Sequence, residues 1–226
     1  MRYNNIKTGI FKARPNRFIA HIEVDGLLEI CHVKNTGRCK ELLIPGCTVY
    51  VEESDNKARK TRYSLIAVKK GERIINMDSQ APNKLVHEWL ILGELFQDIR
   101  LIKPEKVYGN SRFDFYIETS NQKIFMEVKG VTLEEEGIVR FPDAPTERGI
   151  KHMKELMSCQ EEGYEAYIIF VIQMKGAIKF EPNDFTHPEF GHTLRRAHHE
   201  GVHVLAYDCE VEPDCLSIRK AIPVIL

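Results

Sequence analysis

The run EAYIIFVIQM at 165–174 is apolar almost without interruption. A strand of that kind has to be covered on both faces. Its apolar heart at 166–172 is far too short to cross a bilayer, so the cover must come from the rest of the chain. The flanking sequence supplies it. PNKLVHEWLILGELF, from residue 82, opens with Pro82 and Asn83 and carries Leu85, Trp89, Leu92 and Phe96 at helical spacing. A second helix fits 146–162, with Pro145 and Thr146 at its start and Gly163 past its end. A third fits 188–200, ending at Gly201. Strands are expected at KVYGN, RFDFYIET and KIFMEVKGVTL between 106 and 132, and at VHVLAYDCEV. The order α–β–β–β–α–β–α–β predicts an α/β layer domain over residues 81–226.

Residues 1–80 have another texture. GIFKARPNRFIAHIEVDGLLEICHVKNTG alternates apolar and polar positions and is broken at RPN, DG and NTG. The DG pair at 25–26 is a hairpin signal. PGCTVYVEE and RYSLIAVKKGERIINM read as further strands. Five or six short strands with little helix predict a small closed all-β barrel, an OB-fold first of all. This half holds 15 Lys and Arg against 9 Asp and Glu, while residues 81–226 hold 17 against 24. The whole chain is nearly neutral at −1, so any surface for a polyanion is local and belongs to the barrel. An ordinary solvated surface would give the same count.

The six cysteines form no C-x-x-C pair and no zinc-finger spacing with His. They are expected as reduced, mostly packed thiols. The first twenty residues contain no continuous apolar core of a signal peptide. A cytoplasmic protein without a membrane partner is the expectation. The oligomeric state is left open, a homodimer included.

One strand carries charges where a core belongs. In FMEVKG, at 125–130, Glu127 and Lys129 share a face with Phe125, while Met126, Val128 and Gly130 face the other way. RFDFYIE places Asp114 on the preceding strand, with Phe113 and Phe115 expected on the face opposite to it. A hairpin through TSNQ brings Asp114 near Glu127. Two converging carboxylates repel unless a cation sits between them, and hard oxygens suit Mg²⁺ or Mn²⁺. A lysine beside such an ion can hold and help deprotonate an attacking water. The spacing D-x12-E-x-K therefore points to phosphodiester hydrolysis. Taken alone, EVK reads as a surface ion pair on a half-exposed strand.

The surrounding helix–strand order resembles the core of PD-(D/E)XK nucleases, whose first helix often adds a carboxylate. Glu88 is the candidate, with Glu94 second. A wider resemblance runs from the first strands to AIPVIL at 221–226. NTGR, ELLIPG, QAPNKLV, SRFDF, EVKGVTL and FPDAPTERGIKHMKELM resemble the sugar fermentation stimulation protein A family of bacteria and archaea. That resemblance implies an N-terminal OB domain followed by a PD-(D/E)XK nuclease-like domain. It also implies DNA binding, with a proposed role in regulating sugar-use genes, and a site at Glu88, Asp114, Glu127 and Lys129. EVKG stands here where EVKS or EVKN is expected in relatives.

Contacts to nucleic acid are expected from Arg14 and Arg17 near the first turn and from Asn35 and Arg38 of NTGR, a loop suited to phosphate. In FPDAPTERG, Asp143 or Thr146 can cap the helix, Thr146 and Arg148 are expected to contact a phosphate of the nucleic acid, and Glu147 can add to a metal shell. A capped helix on a tight packing turn explains the same residues. Five histidines between 187 and 203 match no ligand spacing and read as surface residues. The expectation is thus a DNA-binding protein with a Mg²⁺-dependent (or Mn²⁺-dependent) nuclease site, Asp114 and Glu127 holding the metal. The alternatives are a non-catalytic DNA-binding regulator that keeps the nuclease fold, and an enzyme acting on RNA.

Overall fold

The alternating stretches of the N-terminal half close on themselves. In the computed structural model, which describes every residue except Thr36 of the NTGR loop, β1 (Ile6–Asn16), β2 (Ile19–Val24) and β3 (Leu27–Val33) form an antiparallel meander. The turn at Asp25 and Gly26 has both residues at positive φ, as the DG pair predicts. β4 (Thr48–Glu53) pairs with β1, and β5 (Tyr63–Lys70) pairs with β4. Parallel pairing of Cys31–Val33 with Tyr63–Leu65 then shuts the barrel. Ile22, Val49, Val51 and Leu65 alternate into its interior and are fully buried. This is a five-stranded OB-like barrel. β6 (Arg73–Asn76) extends it beside β5 and leads into the second half.

There, α1 (Ala81–Ile91) precedes β7 (Leu101–Tyr108), β8 (Ser111–Glu118) and β9 (Lys123–Val131). A short hairpin of β10 (Leu133–Glu135) and β11 (Ile138–Phe141) leads to α2 (Glu147–Glu161). β12 (Glu165–Ile172), β13 (Lys179–Pro182), α3 (Pro188–His199), β14 (His203–Val211) and β15 (Leu216–Ala221) complete the chain. The main sheet has the order β15-β14-β12-β9-β8-β7. β12, built from the apolar run, lies between β9 and β14 and is parallel to both. Leu85, Val86 and Leu90 of α1 pack with Met126, Val128 and Ile169 on one face. Ile150, Met153 and Leu156 of α2 pack with Phe125, Ile168 and Phe170 on the other. The layers are those of a mixed α/β domain.

Three features depart from expectation, the edge strand β15 after VHVLAYDCEV being one that the sequence pattern does not announce. The first helix ends at Ile91, so Leu92, expected on its apolar face, is exposed. A separate sheet of order β10-β11-β13 has no counterpart in the sequence reading. Strands of three and four residues are too short for an alternating pattern to stand out.

This small sheet helps tie the halves together. Glu134 of β10 accepts from Lys70 at 2.9 Å and from Arg73 at 2.5 Å, both from the β5–β6 hairpin. Beside it, Gln173 accepts from the Asn76 backbone through its carbonyl at 2.9 Å. Its side-chain amide donates to Asn76 Oδ1 at 2.8 Å and to the Asp78 carbonyl at 3.0 Å. All of these groups are buried or partly buried, where hydrogen bonds are worth most and orphans cost most. No helix is long and apolar enough to cross a membrane, among the described residues.

Candidate active site

β8 and β9 pair from Glu118 and Lys123 as far as Phe115 and Met126. The next register pair would be Asp114 and Glu127. There the ladder stops, and the Asp114 carboxylate takes the place of a backbone acceptor: the Val128 N–H donates to its Oδ2 at 2.8 Å. The pleat breaks at the same residue. Phe113 packs with Phe125 on the α2 side, while Phe115 stacks on His87 of α1 with ring centroids 5.8 Å apart. The expectation that both phenylalanines share a face is therefore corrected. An aspartate inserted between two diverging strands separates them.

On β9 the alternation holds. Met126 and Val128 lie in the α1 core and Phe125 in the α2 core. Glu127 is 3% exposed. Its Oε1 accepts from Lys129 Nζ at 2.6 Å and meets His152 Nδ1 of α2 at 2.5 Å. The other ring nitrogen of His152, Nε2, accepts from Arg148 Nε at 3.4 Å. With Arg148 donating to Nε2, Nδ1 is the ring nitrogen that faces Glu127. Glu127 Oε2 is buried and has no hydrogen-bond partner.

The electrostatics of the two carboxyls differ. Burial, and then the nearby Glu127 charge, push the Asp114 carboxyl above its ordinary range, although the Val128 N–H and Asn83 pull the other way. Burial works in the same direction on Glu127. There it is outweighed by the His152 hydrogen bond and by Lys129, which together hold the carboxyl below its ordinary value. One acid is stabilised as an anion and its neighbour is strained as one.

α1 reaches this point through Asn83, whose Nδ2 donates to Asp114 Oδ1 at 2.7 Å. Glu88 does not reach it. It is half exposed and pairs with the Met1 ammonium at 2.8 Å, about 140° around the helix from Asn83. Glu94 lies beyond the end of the helix and is exposed. Glu147 is exposed too and pairs with His187 at 3.4 Å. Among the described residues no three His, Cys, Asp or Glu side chains gather as ligands, so the donors here are the two carboxylates. Their hard oxygens, the orphaned Oε2 of Glu127 and the mutual repulsion fit a small divalent cation.

The two loop motifs meet beside this point. Gly37 of NTGR packs so closely on Asp143 of FPDAPTERG that a Cβ there would fall 2.6 Å from Asp143 Oδ2. Thr146, not Asp143, caps α2, its Oγ accepting from the Gly149 N–H at 3.1 Å. A cleft of about 190 Å³ is lined by Asn35, Gly37, Ser79, Thr132, Asp143 and Gln173.

Arg14 is occupied otherwise than its sequence context predicts. Its guanidinium donates to the carbonyls of Arg17, Asn35, Gly37 and Arg38 at 2.7 to 2.9 Å. It holds the NTGR loop in shape and has little left for a phosphate. Arg17, Arg38 and Lys40 are exposed around it and have no acidic partner among the described residues.

Gly130, where relatives are expected to carry Ser or Asn, has no room for a side chain. A Cβ would fall 2.8 Å from Pro82 Cγ and 2.5 Å from Gln173 Oε1. Nothing in the sequence signals that Asn83 meets Asp114, that His152 meets Glu127 or that Gly130 packs on Pro82 and Gln173, because these partners lie 25 or more residues away in the chain.

Comparison with known proteins covers both domains. Residues 13–77 match the SfsA N-terminal OB domain, and residues 80–215 match the sugar fermentation stimulation protein RE domain. Sugar fermentation stimulation protein homologs from Clostridium beijerinckii and Ruminiclostridium cellulolyticum are each 62% identical over 226 residues, covering 100% of both chains. The structure of Pyrococcus furiosus SfsA in complex with Ca²⁺ is 30% identical, with a TM-score of 0.89 over 100% of this chain and 98% of that one. With barrel, sheet and loops all aligned to such relatives from end to end, the chain belongs to the sugar fermentation stimulation protein family.

Proposed function

We propose that this protein is a divalent-cation-dependent nuclease acting on DNA, with the ion held by Asp114 and Glu127. The observation that carries the reading is the orphaned, buried Oε2 of Glu127 beside a carboxyl strained by its neighbour. Without a cation such a pair is costly, and with one it is satisfied. The 30% identical Pyrococcus furiosus relative in complex with Ca²⁺ supports a cation in this chain.

A bound Mg²⁺ or Mn²⁺ would polarise the phosphoryl oxygen and offset the charge that develops on it. The chain's own groups do the rest. Asn83 and the Val128 N–H orient Asp114, and His152 orients Glu127. Lys129 Nζ, one hydrogen bond from Glu127, holds the attacking water and eases removal of its proton. Arg148, exposed at the start of α2, meets the phosphate. Arg17 and Arg38 with Lys40 neutralise the strand farther along, beside Asn35.

The test is a metal titration combined with cleavage assays on single-stranded, duplex and branched DNA, and on RNA. Cleavage that needs Mg²⁺ or Mn²⁺ and is lost in Glu127→Ala and Lys129→Ala is the expected result. Unchanged activity in both folded variants removes the catalytic reading. DNA binding with no cleavage under any metal leaves a regulator that retains the fold, and preference for RNA would shift the substrate.

A further inference from the structure

Phe185 is 100% exposed, on a loop that is otherwise firmly built. Asn183 is buried beneath it, donating from its backbone to the Phe141 carbonyl at 2.8 Å and from Nδ2 to the Pro142 carbonyl at 3.0 Å. The N–H groups of Thr186 and His187 both return to the Asn183 carbonyl, at 3.1 and 3.0 Å. Asp184 is gripped by both terminal nitrogens of Arg195, at 3.0 and 2.6 Å. This grip needs Gly191 on α3, because a Cβ there would collide with Asp184 Oδ1. Every neighbour of Phe185 in the turn is anchored, and the ring alone stands in water.

The anchors connect this turn to the candidate active site. Phe141 and Pro142 belong to the FPDAPTERG segment. His187 Nδ1 accepts from the Thr146 N–H at 3.3 Å, at the cap of α2. Six residues farther along α2, about 9 Å at 1.5 Å per residue, His152 meets Glu127. Arg148 lies between them, exposed.

We infer that Phe185 is a stacking platform for an unpaired nucleobase of the strand bound at the Asp114–Glu127 site. The proposal rests on the nucleic-acid reading above and extends it to a base-binding position. The chemistry selects a base over a protein partner. A protein interface needs a contiguous apolar patch, whereas Phe185 is flanked by Asp184, Thr186 and His187. A single ring on a rigid support is what a planar base requires, since stacking uses one face and tolerates any base. Arg148, two residues past the Thr146 that His187 meets, supplies the phosphate contact of the same strand.

The test uses the full chain and short single-stranded DNA oligonucleotides carrying 2-aminopurine at successive positions, in EDTA and again in Ca²⁺. The wild type should quench 2-aminopurine fluorescence at one position. Phe185→Ala and Phe185→Leu should lose that quenching and bind roughly 5- to 100-fold more weakly, while Phe185→Trp keeps both. A ring that touches nothing contributes little to folding, so equal melting temperatures should accompany these changes. Equal binding and quenching by wild type and Phe185→Ala overturn the stacking site and leave the nuclease reading standing. Leu behaving as Phe overturns stacking in favour of plain apolar contact. No single-stranded oligonucleotide binding by the wild type in either buffer overturns the stacking site, and absence of duplex and branched DNA binding as well overturns both readings.

Discussion

His152 Nδ1 lies 2.5 Å from Glu127 Oε1, joining the middle of α2 to the strand that carries the central acid. The ring fixes which Glu127 oxygen is committed to protein donors and which is left over. His152→Ala should therefore loosen Glu127 while removing no ligand. Outer partners of this kind typically change metal affinity or activity by about 10- to 100-fold. Calorimetric titration of Mn²⁺ into wild type and variant checks the affinity. His152→Asn, which can restore one donor, should recover part of it.

Glu134 gives a pH signature that belongs to the domain seam. Burial alone would raise its carboxyl, but Lys70, the Gly137 N–H and Arg73 outweigh burial and hold it below its ordinary value of 4.5. A carboxyl depressed on folding stabilises the native state above its unfolded value, and that contribution fades as pH falls through the folded one. Glu134→Gln should cost about 1–3 kcal/mol near pH 7. The gap to wild type should narrow below pH 4.5. Thermal melts from pH 7 down to 3 measure it, and a gap that widens on acidification contradicts the seam.

Arg14 and Arg38 should behave differently although both are cations of one surface. Arg14→Ala strips four carbonyls of their donor and should destabilise the fold by about 1–3 kcal/mol. It should weaken DNA binding with little change in the slope against salt. Arg38→Ala should leave stability alone and reduce that slope by about one. Binding titrations at several ionic strengths separate the two.

Gly130→Ala should be destabilising by about 1–3 kcal/mol, from overpacking against Pro82. Gln173 cannot turn aside without giving up its bonds to Asn76 and the Asp78 carbonyl. The displacement would pass along β9 to Lys129 and Glu127. Denaturant melts and the metal titration should therefore shift together, whereas Gly26, which has open space where a Cβ would stand, would alter only stability when replaced in the same way.

Much of this architecture is legible in the chain because it rests on local patterns. The alternation around DG yields the barrel hairpin, and the unbroken run at 165–174 yields a strand with a helix layer on each face. Asp114 can be matched with Glu127 because a short turn leaves few registers. The side chain that α1 sends to them is another matter. Helical spacing locates the apolar stripe, but it does not say which polar residue at its border meets the sheet, and that residue is Asn83 and not Glu88. His152 is silent for a similar reason: a buried histidine on an amphipathic helix looks like any core residue until its partner on β9 is known. Arg14 shows the converse error. A basic residue near a turn reads as a phosphate contact, yet three of the four carbonyls it serves come from a loop some twenty residues away.

The seam at Asn76, Gln173 and Glu134 bears on geometry beyond stability. Its hydrogen bonds and ion pairs brace the barrel against the sheet, and with it the span from Arg17 and Arg38 to Glu127. A strand held by the barrel and reaching the acids would be measured against that span as against a ruler. Under the nuclease reading, products should cluster at one length from the held end, whatever the base sequence between.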